Sequence, residues 1–182
     1  ASGTVTISSS GSSKSGDVFV GSGSASGTSS GRLVLSTGTS DVSSGPVLIS
    51  SGDVLEGKGA DVKVSAGSTK SSTTVGGSVL VSAGVGGQGG GLKLESGSGS
   101  TSEGGDLSLV AGAGFDSASG GAVYVAGGDG SGELSLRGGA TSVSDSAGGE
   151  VSMKSGFSTS GPSGKMSIGS ADGLETGTVH VV

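Results

Sequence analysis

Few residues in this chain are equipped for chemistry, and their spacing tests each one. Asp129 lies in Gly127-Gly128-Asp129-Gly130-Ser131-Gly132-Glu133-Leu134. That run approaches the calcium repeat G-G-x-G-x-D-x-U-x, but Gly132 stands where the ligand aspartate belongs. Gly86-Gly87-Gln88-Gly89-Gly90-Gly91-Leu92 departs from it at the same place. A repeated calcium site needs carboxylates recurring in one column, and none recurs, so no metal and no cofactor are expected. The single histidine, His180, has no recognisable serine or aspartate partner. The fifteen acidic residues are dispersed rather than convergent, whereas glycan hydrolysis needs paired carboxyl groups. Gly-rich phosphate loops require a following helix, and no helical period follows any glycine run here. An enzyme is not expected.

Composition narrows the partners. Gly supplies 43 of the 182 residues, Ser as many, and there is no Cys. Disulfides and thiolate sites are therefore absent. The net charge of −6 is thinly spread, which disfavours nucleic acid, because phosphate binding needs clustered Lys and Arg. No apolar run approaches the length of a membrane span. Nothing near Ala1 reads as a signal peptide, so that residue is expected to be a mature terminus or a boundary. Disordered low-complexity chains share this Gly/Ser richness, but their apolar residues are sparse, whereas the mean hydropathy here is +0.12.

The elements that must position these groups follow one template. Gly105-Asp106-Leu107-Ser108-Leu109-Val110-Ala111-Gly112 reads G-x-h-x-h-x-(small)-G, where h is aliphatic. Apolar residues two apart place one dry row on one side of a short strand. The paired positions are Val5/Ile7, Val18/Val20, Leu33/Leu35, Val47/Ile49, Val62/Val64, Val79/Val81 and Leu92/Leu94, then Leu107/Leu109, Val123/Val125, Leu134/Leu136, Val151/Met153, Met166/Ile168 and Val179/Val181. Twelve of these thirteen pairs have Gly two residues upstream, and Ala60 is the exception. A small residue stands two places beyond each of the first twelve pairs, which predicts a sharp curve of the backbone there.

Successive pairs are 13, 15, 14, 15, 17, 13, 15, 16, 11, 17, 15 and 13 residues apart. Long spacers are often followed by short ones, so alternate pairs recur about every 29 residues. The expectation is an all-β fold, a single domain spanning residues 1–182. Its architecture would be a β-solenoid (β-helix), flattened and two-sided, with about 29 residues per coil and a length of roughly 30 Å. One strand per turn is the competing arrangement. In the two-sided form the spacers at 67–77, 112–121 and 138–149 bulge most.

The two-sided arrangement sorts the outward residues into two columns. One holds Phe19, Leu48, Leu80, Ser108, Ser135 and Ser167, and its first three form a candidate protein interface. The other holds Thr6, Val34, Lys63, Lys93, Tyr124, Ser152 and His180. There Lys63 and Lys93 would be neighbours close to Asp61, Glu95 and Arg32. With Tyr124, and with Ser108 and Ser135 from the first column, they make a candidate surface-ligand face for a glycan. The plainer account is a charge-compensated exposed surface. Ice binding through regular Thr rows is an alternative that only Thr4 and Thr6 begin.

The units Gly77-Ser78-Val79-Leu80-Val81-Ser82-Ala83-Gly84 and Gly105–Gly112, with their Gly/Ser spacers, are carried along the whole chain. They resemble repeat regions in large surface and fibre proteins of marine algae and their large viruses. The resemblance implies an extracellular or virion-surface shaft without catalytic residues. The first pair begins close to Ala1 and the last, Val179/Val181, ends the chain. Open repeat ends are templates for pairing, so end-to-end stacking through Val5, Ile7, Val179 and Val181, or a longer repeat array, is expected. The function so predicted is structural: a self-associating shaft, coat or filament subunit outside the cell. The alternative is an ice- or glycan-surface-binding module.

Overall fold

A computed structural model describes residues 3–11, 13–116, 119–172 and 175–181. Through each copy of the template the backbone runs without a turn or bend, and every one of the twelve spacers between copies contains one. The alternation of aliphatic pairs with Gly/Ser runs thus divides the chain into straight and turning segments. Among the described residues, however, no straight segment is a β-strand and none is a helix.

That overturns the expected fold. The chain is not an all-β protein and not a β-solenoid or β-helix, neither with two strands per coil of about 29 residues nor with one. No described residue is buried, and the paired aliphatic side chains form no core. The columns of outward residues and the rungs joining Lys63 to Lys93 lose their geometric basis with it.

The spacers show why. In a solenoid each spacer carries the chain onward to the next coil, where the straight segments pair. Here each spacer from residue 67 to residue 164 returns to its own starting point. The amide of the glycine opening the next repeat donates to the carbonyl of the glycine closing the last: Gly77 to Gly67 at 2.9 Å, Gly90 to Gly84 at 3.0 Å, Gly105 to Gly97 at 2.8 Å and Gly121 to Gly112 at 2.9 Å. Gly132 to Gly128, Gly149 to Gly139 and Gly164 to Gly156 complete the series at 2.8–3.0 Å. Closing a loop of this size costs less chain entropy than joining segments a full coil apart. With only two aliphatic side chains on the drier side of each repeat, there is little burial to offset the ordering of Gly-rich spacers.

The small residue two places beyond the pair is explained in most repeats by the backbone returning beside it. It stands against the glycine that opens the next repeat: a methyl group placed on Gly77 would lie 3.3 Å from Ala66 Cβ, and one on Gly121 would lie 3.5 Å from Ala111 Cβ, whereas Gly45 after Thr37 has nothing within 4 Å. Ser22 against Gly31 and Ser170 against Gly177 repeat the contact at 3.5 and 3.6 Å. Ser9, Ala111 and Gly138 of this column are half-buried, in a chain otherwise almost wholly exposed. The column is small because a second backbone passes beside it. At Gly127 and Gly138 even a methyl group would run into a carbonyl oxygen, of Gly132 and Gly149 respectively. Those are the two positions where the column itself is glycine.

The exception at Ala60 is closed differently. There the Ser51 hydroxyl donates to the Ala60 carbonyl at 3.2 Å, so a side chain replaces the backbone bond across residues 52–60. Ser51→Ala is expected to open this spacer alone. An exposed bond at the low end of the usual range, about 0.5 kcal/mol, corresponds to roughly a twofold shift in closing. Amide exchange at residues 53–60 reads it, and unchanged exchange there would show that the hydroxyl does not hold the spacer.

The tightest spacer stores strain. Within Gly128–Gly132, Gly130 and Ser131 both have positive φ, at 84° and 80°. Glycine tolerates that conformation, whereas serine carries a Cβ cost. Ser131→Gly is therefore expected to protect the Gly132 amide slightly more from exchange, by no more than about twofold, since glycine also raises the freedom of the open loop.

The chain divides into two units, Ala1–Leu92 and Lys93–Val182. The first contains the closed spacers at 67–77 and 84–90, and the second contains the other five.

Candidate functional site

Hydroxyl groups are the commonest side-chain chemistry of the spacers, beside scattered charged and apolar residues. In the 67–77 spacer the Thr69 and Thr74 hydroxyls are 3.1 Å apart, and the Ser71 amide donates to Thr69 Oγ1 at 3.1 Å. The Thr73 amide donates to Ser71 Oγ at 3.3 Å. Hydroxyl side chains here serve the turn by mimicking backbone acceptors, and Ser158 does the same for the Gly161 amide at 2.9 Å.

Two ion pairs join charged residues that are close along the chain. Lys93 and Glu95, flanking Leu94, form an ion pair of 2.6 Å with both side chains largely in water. Asp61 pairs with Lys58 at 3.9 Å rather than with Lys63. Exposed pairs of this kind contribute about 0–1 kcal/mol, and neither makes a recess. No pocket is present among the described residues, and no group of three or more His, Cys, Asp or Glu side chains converges there. Asp129 lies on the turn of the 128–132 spacer, closed by Gly132 donating to Gly128. No helix among the described residues is long and apolar enough to cross a membrane.

The residues singled out from the sequence all lie on the surface. Phe19, Leu48 and Leu80, the candidate interface, are each more than four-fifths exposed and stand in separate repeats. Tyr124 is as exposed, and Lys63, Lys93, Ser108, Ser135 and His180 are exposed too. Val5, Ile7, Val179 and Val181, the candidate stacking residues, are in water at 53–87% exposure.

One regularity does run through the chain. From the second repeat onward the first aliphatic residue of each pair is less exposed than the second. Val79 is 54% exposed, Val81 65%, and Leu80 between them 88%. The template therefore retains a sidedness without strand pairing, and the drier member is the one following the closed loop base by two residues. The feature that recurs along the chain is this partly covered aliphatic pair. What reading the sequence missed is the pairing of the flanking glycines with one another at seven spacer bases. Their signal was present as a glycine closing one repeat and another opening the next.

Comparison with protein-family models, with curated proteins and with solved structures found no match.

Proposed function

We propose that this chain is a structural segment of an extracellular shaft, coat or filament, and that it works by associating with copies of itself. The observation carrying this reading is that thirteen aliphatic pairs recur on one template and all remain in water. A folded monomer ordinarily covers such residues, and an apolar surface of this extent marks an interaction. The backbone supports the same reading. Among the described residues it makes eight bonds to itself outside regular structure, and there is no regular structure to add more. Folded domains make about one hydrogen bond per residue. Self-association of this kind needs no preformed solenoid.

The resemblance to surface and fibre repeats of marine algae and their large viruses favours a location outside the cell. The lack of any convergent chemical group among the described residues favours a mechanical role over a catalytic one. Sedimentation of the purified chain over a range of concentrations, with electron microscopy of the native material, tests the reading. Filaments or sheets are the expected result, and a monomer at all concentrations overturns it.

Salt should move the equilibrium in a defined direction. Copies carrying −6 each repel one another, and raising ionic strength from 0.01 to 0.15 M shortens the screening length from about 30 to about 8 Å. Association is expected at several-fold lower protein concentration in the higher salt. A shift the opposite way would mean that attraction between charges, rather than the aliphatic pairs, holds the copies.

A further inference from the structure

We infer that the partner of each repeat is the same repeat of a second copy, laid parallel and in register, with the unequal spacers setting the register. The inference rests on the self-association proposed above and specifies its geometry.

The spacers carry the argument. Closed spacers range from Gly128–Gly132 to Gly67–Gly77, yet each ends on the same glycine-to-glycine bond of 2.8–3.0 Å. Differences in length among these seven spacers therefore do not stretch the chain between repeats. They appear as loops of different size standing off a common base. No two successive spacings are equal along the chain, so a copy displaced by one repeat sets a loop of different length against every loop. The order of spacings also differs when read backwards, so an antiparallel copy fares no better. Only a parallel copy in register lays every loop on its equal and every aliphatic pair on its equal. Gly-rich segments ordinarily specify register weakly, and here the loops supply what the straight segments lack.

The surface is available. The thirteen aliphatic pairs keep 47–87% of their surface in water, and an exposed apolar surface of this extent is of the kind that a stable interface covers. Low charge density permits the arrangement. In register, each charged residue faces its own kind, an unfavourable contact, but only 13% of residues are charged. Short segments of low charge and alternating aliphatic residues are those that pair with copies of themselves.

The chain has no cysteine, so single labels can be introduced cleanly in the full chain. Leu80→Cys, Ser108→Cys and Tyr124→Cys, each carrying a nitroxide, are assembled separately and read by electron paramagnetic resonance. Parallel in-register copies whose straight segments pair through backbone hydrogen bonds on association place identical labels about 4.8 Å apart. The expected spectrum is one exchange-narrowed line at all three positions, reverting to three lines when labelled chain is diluted with unlabelled. Sedimenting material that keeps three resolved lines at full labelling overturns the register while leaving self-association standing. Failure to sediment under any condition overturns both. A second measurement uses the chain lacking Ser71 and Ser72. Its shortened 67–77 loop should deplete it several-fold from assemblies grown in an equal mixture with the parent, and incorporation at the mixing ratio overturns the role of the loops.

Discussion

Replacing Val79 and Val81 together by lysine is expected to raise the concentration at which the chain associates by about thirtyfold. Burying an aliphatic side chain is worth about 1.5–3 kcal/mol, and this pair is already partly covered, at 54% and 65% exposure. About 1 kcal/mol per side chain then remains for association to gain. Two such losses give about 2 kcal/mol, which is the thirtyfold change. Sedimentation velocity over a concentration series measures it. Added positive charge is matched by Val75→Lys with Val85→Lys, in spacers where both valines are fully in water, at 94% and 103% exposure. That control is expected to move association only slightly. Equal shifts in the two doubly substituted chains would show that the repeat pairs are not the adhesive surface.

The second large effect concerns adjacent glycines with opposite tolerance. Gly138→Ala should break the closure of the 139–149 spacer, because the new methyl group would run into the Gly149 carbonyl. The Gly149 amide, which donates to the Gly139 carbonyl at 2.8 Å, then loses its partner. A net loss near 1 kcal/mol for one such bond corresponds to roughly a fivefold faster exchange of that amide. Gly139→Ala places a methyl where nothing lies within 4 Å and is expected to leave the exchange nearly unchanged. Amide exchange of Gly149 in both chains distinguishes them. Similar rates would mean that crowding at residue 138 does not govern the closure. The same contrast tests why the small column holds glycine, rather than serine or alanine, at residues 127 and 138.

The two experiments separate the roles of the template's parts. In the proposed association the aliphatic pair is what meets other copies, whereas the small residue and its flanking glycines act within the chain. A substitution in the first class should change association with little effect on spacer closure. A substitution at Gly138 should do the reverse, unless the loop also contributes to register. The chain lacking Ser71 and Ser72 addresses that last connection.

The candidate surface was only partly legible in the sequence. Phe19, Leu48 and Leu80 read as outward because they alternate with paired aliphatic residues, and all three are highly exposed. Their grouping into one patch required stacked coils, and no straight segment of the described chain pairs as a strand. Lys63 with Lys93 failed for the same reason, and Asp61 instead meets Lys58, three residues away along the chain. Alternation reports which side a residue occupies. It carries no information on which distant segment lies opposite.

What the sequence by itself determined was the segmentation: straight runs at thirteen aliphatic pairs and a turn in each of the twelve spacers between them. A period of two and clustered Gly/Ser are local properties, so local reading suffices. The tertiary structure decided where the spacers from residue 67 to residue 164 go after their turns. A spacer of this length can advance to a new coil or return to its own base, and both courses are compatible with the same residues. The return is favoured because it forms a backbone bond at small entropic cost, whereas the solenoid must order whole coils before two aliphatic residues per repeat are covered. The small residue beyond the pair, legible from the start as a constraint, thereby acquired its cause in most repeats. It lies where the chain comes back to meet itself.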